Sequence, residues 1–485
     1  MDDTLFQSWQ RSVPRLKEIL ERMQEKTIIA IGTDPYPGII ISSFLKNFTS
    51  FAIKNTVDIN TLRPYMDIFC FEEKNLKIAQ KVQSISYLLG NFAFRRFLES
   101  LTKPFTLLIY KTTPSIVEKL EAQKLDWIGN YPESFEDVVL KNNFRNLLKT
   151  LNLPSLPVYY LLKEEFSKKS FRDIFDKWKT AFVIQKGDVD AAGTFFIKTE
   201  KDWQIYYDII IKDDRFRQIQ ISPFIVGPSL SMLGCITHKG VLTSTLQTQL
   251  IDVPEALCGQ MPEGLFLGHD WGYCPWTQKT EQLAQQIVES IGQHMANKGY
   301  KGIFGIDFVY DQQKDELFPI ECNPRITGAS PVYSLMTYDL GKIPPIDFFH
   351  LMSHLNIKED FDFETVNNGL KKRMPLAQIS INPMGISEMK ISLATGVYSY
   401  SQEQGAIRFE GPGALLSDIK NESQFMLIDA VPWPGTKIVQ NAPKLFKVIF
   451  KRSIATSSFS IEPIAGEIVS QISMLLRENQ PILNL

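Results

Sequence analysis

The stretch GIFGIDFVYDQQKDELFPIECNPRITGAS (302–330) constrains this chain more than any other part of it. Two apolar, alternating runs flank the polar turn DQQKDE, a pattern that predicts a β-hairpin. Ile306, Phe308 and Tyr310 fall on one face of the first run and Asp307 and Val309 on the other; on the second run Ile320 and Cys322 oppose Glu321 and Asn323. Asp307, Glu321 and Asn323 can therefore share one face. A carboxylate within an apolar strand is costly to bury unless it is paired or holds a cation. Asp, Glu and Asn oxygens are hard donors that suit Mg²⁺, which is usually completed by phosphate and water oxygens. The plainer alternative is that both carboxylates face solvent on a surface hairpin. Pro324 and Arg325, which follow at once, weigh against it, because Arg325 brings a permanent planar cation to the strand end. Carboxylates holding Mg²⁺ beside an arginine form a constellation for phosphoryl transfer.

Upstream, the chain has an α/β rhythm. TIIAIG (27–32), DIFCF (67–71), FTLLIY (105–110) and LDWIG (125–129) are short apolar strands separated by helical patterns, which predicts a parallel sheet covered by helices. The first strand leads into GTDPYPG, not G-x-G-x-x-G, so a Rossmann dinucleotide site is not expected. Before this sheet, Leu5, Trp9, Val13, Leu16, Leu20 and Met23 lie at helical spacing, broken by Pro14. This segment is expected to pack on the next domain, with a helix joining a homodimer as the alternative.

From about Leu140 helices at 135–151 and 163–178 flank a proline-broken LPSLPVYYL. AFVIQKGDVDAAGTFFI (181–197) then predicts strand, polar loop and strand. RQIQISPFIVGPSLSMLGCI (217–236) predicts two strands joined through Pro223 and Gly227, and THKG (237–240) a hairpin turn. A long helix spans about 278–298. Beyond about Leu355, AQISINP, EMKISLATGVYSY, AIRFEG and FKVIF predict short strands, followed by a helix near 463–477. The expected division is 1–140, 141–350 and 351–485: an α/β domain, a central clamp and a C-terminal α+β domain.

The runs D-F-V-Y-D and E-L-F-P-I-E-C-N-P-R-I-T-G resemble the metal-binding signature of the ATP-grasp superfamily, with the resemblance extending over about residues 25–345. The resemblance implies an ATP-grasp fold and a site for ATP and Mg²⁺ (or Mn²⁺), with Asp307, Glu321 and Asn323 as metal ligands and Arg325 as the catalytic cation. It places Lys141 on a helix that reaches the nucleotide phosphates. It also aligns AFVIQKGDVDAAGTFFI with a lysine-bearing strand and glycine-rich phosphate loop. There Gln185 stands at the usual lysine position, Lys186 follows on the opposite face, and Gly187 and Gly193 are the loop glycines. Either Gln185 donates an uncharged hydrogen bond or a register shift brings Lys186 in. The backbone around Phe224 and Ile225 would read the adenine edge, and Ser229 replaces a ribose-binding Glu common in relatives. In LGHDWGYCPW (267–276), His269, Asp270 and Cys274 fit no zinc spacing. A loop covering the cleft is expected, with His269 and Trp271 near the acceptor.

Composition removes other classes. With 52 basic and 54 acidic residues, net charge −2, the chain has no excess of Lys and Arg for a nucleic-acid backbone or an anionic membrane. Five scattered cysteines without a C-x-x-C pair suggest neither a disulfide framework nor a structural zinc site. The acidic, amphipathic N-terminus is unlike a signal peptide, and a cytoplasmic location is expected. The function so implied is an ATP-dependent ligase joining a carboxylate to an amine through an acyl phosphate, with small-molecule partners. Phosphotransfer by the same site, or nucleotide binding without turnover, are the alternatives.

Overall fold

The computed structural model describes residues 3–74, 84–186, 194–214, 217–258, 263–390, 393–438 and 444–478. Strands β1 (Thr27–Gly32), β2 (Phe48–Ala52), β3 (Asp67–Cys70), β4 (Phe105–Ile109) and β5 (Trp127–Ile128) form a parallel sheet in the order β3-β2-β1-β4-β5. Both its faces are apolar. Ile28 and Ala30 join one cluster of buried side chains and Ile29 and Ile31 another, which is why the strands read as unbroken apolar runs. The expected helix at 5–23 is two helices, Asp3–Gln10 and Leu16–Met23. Pro14 sits between them, and a proline there supplies no amide to continue the first. Their apolar residues are buried as the spacing requires. Trp9 packs its ring on Phe44, Tyr338 and Phe348, fastening the N-terminus to the middle of the chain.

A four-stranded antiparallel sheet follows in the order β6-β9-β7-β8, built from β6 (Tyr159–Leu162), β7 (Phe182–Lys186), β8 (Thr194–Ile197) and β9 (Gln218–Pro223). The helices of the preceding segment are shorter than the sequence suggests, at Glu136–Val139, Lys141–Thr150, Lys163–Phe166 and Phe171–Trp178. Ser170 caps the last of these, its hydroxyl accepting from the Asp173 amide.

Besides a short pair at Ala455–Ser457 and Ser460–Ile461, eleven further strands are β10 (Ser229–Thr237), β11 (Gly240–Thr243), β12 (Gln247–Ile251), β13 (Phe266–Asp270), β14 (Gly302–Asp311) and β15 (Glu316–Asn323), then β16 (Ala377–Ser380), β17 (Gly396–Ser401), β18 (Ala406–Gly411), β19 (Gln424–Ile428) and β20 (Lys447–Phe450). They make one eleven-stranded sheet, β15-β14-β10-β12-β13-β16-β20-β19-β17-β18, with β11 on β10. The sheet runs without interruption from the 302–323 hairpin into the C-terminal strands through antiparallel β13 and β16. Gly268 permits that junction, since a Cβ there would lie 2.0 Å from the Gln378 carbonyl oxygen. The helix Gln278–Asn297 covers β10 and β11, burying Ala284, Ile287, Val288, Ile291 and Met295 on one stripe. Among the described residues no helix is long and apolar enough to cross a membrane.

Candidate functional site

The predicted hairpin forms, and its register sets the site. Asp307 stands directly opposite Glu321, and Gly305 opposite Asn323, with a bulge after Asp307. Ile306, Phe308, Tyr310, Leu317 and Cys322 turn into the core, which leaves Asp307, Glu321 and Asn323 on the other face. Like charges opposed across a strand pair are unfavourable. Burial, followed by the facing Glu321, pushes the Asp307 carboxyl up to about 7, against hydrogen bonds from Ser231 and Asn323 and the charge of Arg325. Asn323 Nδ2 donates to Asp307 Oδ2 at 2.9 Å, and Arg325 Nη2 donates to Asn323 Oδ1 at 3.1 Å. Two carboxylates and an amide oxygen fit a hard divalent cation that takes its remaining ligands from phosphate and water. Among the described residues no group of three or more His, Cys, Asp or Glu is placed to hold a metal.

Sequence reading missed the other partners of Asp307. Gln249 Nε2 donates to Asp307 Oδ1 at 2.9 Å, and Ser231, in register with both Asp307 and Gln247, lies between β14 and β12. Gln247 is fully buried with neither its amide nitrogen nor its oxygen partnered among the described residues. The signal was present in TSTLQTQ (243–249), a polar run in a buried strand.

Beyond Arg325 lies a second charged cluster, drawn from opposite ends of the chain. Lys447 Nζ contacts Asp429 Oδ2 at 2.8 Å, and both are buried. Against the burial that would raise it, Lys447 holds the Asp429 carboxyl low. Burial and Asp429 push the neighbouring Asp34 carboxyl well up. Lys447, then burial, depress the Lys444 ammonium, which also senses Arg325. Asp58 fixes this corner by accepting from the Asp429 and Val431 amides at 2.9 and 2.7 Å. Asp429 and Ala430 have φ of 77° and 73°, consecutive left-handed residues held by that carboxylate.

Other predicted residues take these places. Lys141 opens the helix Lys141–Thr150, whose Phe144, Leu147 and Leu148 pack with Leu317 and Cys322 of β15. Gln185 lies within β7 and donates to Thr194 Oγ1 at 3.3 Å. Lys186 closes β7 with its backbone opposite Ile219; its side chain, like Gly187 and Gly193, lies outside the described residues. Phe224 and Ile225 follow β9, but the Phe224 amide donates to the Ala181 carbonyl at 2.8 Å, which removes it from the groups free to face a base edge. Gly227 brings this segment against β14, where a Cβ would lie 1.9 Å from the Tyr310 carbonyl oxygen. The Ser229 amide donates to Ser458 Oγ at 3.1 Å.

His269, Trp271 and Asp270 are buried at the end of β13, while Cys274 is exposed. Trp271 lies in the main core and Asp270 organises two backbone turns. His269 shares a hydrogen bond with Gln378 at 3.2 Å and packs on Phe266 and Trp271. Burial, with Lys447 and Lys444 nearby, lowers its pKa to about 3; burial lowers His354 to about 4 and His350 further. These imidazoles are neutral in the folded chain and protonate below about pH 6.5 once it unfolds, so their contribution to stability is full above that pH and is lost on acidification. At pH 5, ¹⁵N imidazole shifts should report all three as neutral. A charged His269 at that pH would contradict its enclosed position.

A groove of about 740 Å³ lined by Lys239, Glu289, His294 and Lys371 shares no residue with either cluster.

Comparison with known proteins places this arrangement. Residues 147–329 match the model of the ATP-grasp domain family. The structure resembles biotin carboxylase from Campylobacter jejuni in a β-γ-ATP complex, with a TM-score of 0.56 and 10% identity over 89% of this chain and 88% of that one. It also resembles the biotin carboxylase domain dimer of Hydrogenobacter thermophilus 2-oxoglutarate carboxylase, solved with MgADP, ADP and bicarbonate, at TM-score 0.54 and 13% identity over 87% and 86%. N5-carboxyaminoimidazole synthase from Aspergillus clavatus, with ADP and 5-aminoimidazole ribonucleotide, matches at TM-score 0.50 and 12% identity over 94% and 99%. No curated protein matches the sequence. With the acid-bearing hairpin inside the matched segment and the architecture shared, the chain has the ATP-grasp fold, and residues 147–329 are similar to the ATP-grasp domain family.

Proposed function

We propose that this protein is an ATP-dependent ligase that joins a carboxylate to an amine, of amino-acid or peptide type, through an acyl phosphate, releasing ADP and phosphate. The observation that carries the reading is the opposed pair Asp307 and Glu321 with Asn323 and Arg325 beside them. Mg²⁺ held by Asp307, Glu321 and Asn323 would neutralise phosphate charge as the γ-phosphoryl group moves to the substrate carboxylate. Lys141 draws the nucleotide phosphates, and the backbone near Ile225 meets the base. Arg325 holds the substrate carboxylate and then the oxyanion that develops when the amine attacks the acyl carbon and phosphate leaves.

The mixed-sign cluster past Arg325 supports the choice of substrates. Lys444 and Lys447 offer cations to a carboxylate, while Asp34 and Asp429 offer acceptors to an amine. We further propose that residues 1–140 and 351–485 supply this acceptor side and 141–350 the nucleotide side. One observation favours a second reading, nucleotide binding without turnover: uncharged Gln185 stands in β7.

The test is a pooled screen of acids and amines with MgATP, read by ADP release and product mass, with Glu321→Ala as control. A condensed product lacking one water, formed with stoichiometric ADP and lost in Glu321→Ala, is expected. Retained activity in that variant removes the metal-ligand assignment, and ATP binding without ADP release for every pair offered leaves the second reading.

A further inference from the structure

Arg145 stands one helical turn beyond Lys141, on the same face of the helix Lys141–Thr150. The residue is only 3% exposed, and its Nε and Nη1 have no hydrogen-bond acceptor among the described residues. Its electrostatic neighbour is the phenol of Tyr160 on β6, and burial lowers its pKa to about 10. A buried guanidinium with two of its three nitrogens unpaired is unfavourable, because those donors have given up water without an acceptor in exchange.

The surroundings point the same way. On one face of the four-stranded sheet Leu161, Ile184, Ile219 and Ile221 close an apolar core. On the other, Tyr160, Gln220 and Gln185 occupy one lateral row across β6, β9 and β7. Gln220 Nε2 donates to Gln185 Oε1 at 3.3 Å, and Gln185 in turn to Thr194, but the fully buried Gln220 Oε1 receives no donor among the described residues. This row contains amides and hydroxyls and no carboxylate that could neutralise Arg145. Phe144, Leu147 and Leu148 of the arginine's helix pack with Leu317 and Cys322 of β15, so Arg145 lies at the flank of that stripe, on a helix that joins the hairpin carrying Asp307 and Glu321 and beside Tyr160 of the sheet that carries the amides.

We propose that Arg145 is a phosphate-binding residue, its guanidinium taking the phosphate oxygens of a nucleotide seated between the two sheets, with Gln185 and Gln220 turning amide N–H groups to the same anion. The inference rests on the ATP reading above. A phosphate suits the site because a planar fork pairs with its oxygens two at a time, and neutral amides add donors without repelling the cation.

Calorimetry on the full chain with MgAMP-PNP, MgADP and adenosine tests it. Arg145→Gln should weaken AMP-PNP and ADP by about 10- to 100-fold, the range of a charge-assisted pair, and adenosine by less than about 2-fold. Gln220→Glu is the second variant and carries the test should Arg145→Gln fail to fold. A carboxylate in that row gives the guanidinium an internal partner, so the thermal midpoint should rise while AMP-PNP binding falls and adenosine binding holds. If Arg145→Gln binds all three ligands as the unaltered protein does, or loses all three equally, Arg145 is structural and the proposal is overturned while the ATP reading stands. An unaltered protein that binds none of the three overturns both.

Discussion

Asp307→Asn should reduce ADP formation by at least about 10³-fold, the usual scale for losing a principal electrostatic contact to a transferring phosphoryl group. The substitution keeps the shape of the side chain while removing the charge that faces Glu321; the amide oxygen still accepts from Asn323, and the contact with Gln249 is kept when the Gln249 amide turns its oxygen to the new NH2. Because burial and that facing carboxylate are what raise the Asp307 pKa, the neutral amide should fold at least as well as the acid. The expected pair of results is therefore lost turnover with an unchanged or higher thermal midpoint in metal-free buffer. Catalysis within 10-fold of the unaltered protein would remove Asp307 from the metal site. A large drop in midpoint would show instead that the carboxylate serves the fold. Sites that sacrifice stability for activity commonly show this opposition.

The second large effect concerns folding alone. Asp270 accepts from the Gly272 and Tyr273 amides at 2.8 Å each, from the Ile454 and Ala455 amides at 2.7 and 2.8 Å, and from Ser453 Oγ at 3.0 Å. It is completely buried. Asp270→Ala leaves five donors facing a cavity and should destabilise the protein by on the order of 3–5 kcal/mol. Urea unfolding should move to lower concentration, and amide hydrogen exchange should accelerate at 272–273 and 453–455 before it does elsewhere. A shift below about 1 kcal/mol would mean that water replaces the carboxylate without loss.

The hairpin and the shared face of Asp307, Glu321 and Asn323 were legible because alternation of period two fixes which residues share a face, and a carboxylate in an apolar run stands out against it. The parallel sheet was legible for a similar reason, its strands being apolar on both faces. What escaped was what depends on register between distant strands. Gln249 reaches Asp307 only because β10 separates β12 from β14, and nothing local to TSTLQTQ states that order. Asp34 and Asp429 meet because β1 ends near the loop that follows β19, a contact between the two termini of the chain. Nothing local in KNNFRNLLK singles out Arg145; its burial, with Nε and Nη1 lacking an acceptor among the described residues, sets it apart. The two N-terminal helices show the reverse case. The apolar spacing was read correctly while Pro14 decided where the chain had to turn.

The continuity of the large sheet bears on how this chain can be divided. Strand β13 has its outer backbone groups matched by Gly268, His269 and Asp270 pairing with Ile379, Gln378 and Ala377 of β16. A fragment ending at residue 350 would leave that row of amides and carbonyls as a bare edge, the template on which chains pair with one another. The C-terminal strands thus act as a guard rail for the half of the sheet that carries the 302–323 hairpin, and a shortened protein would be limited by self-association before its chemistry could be measured.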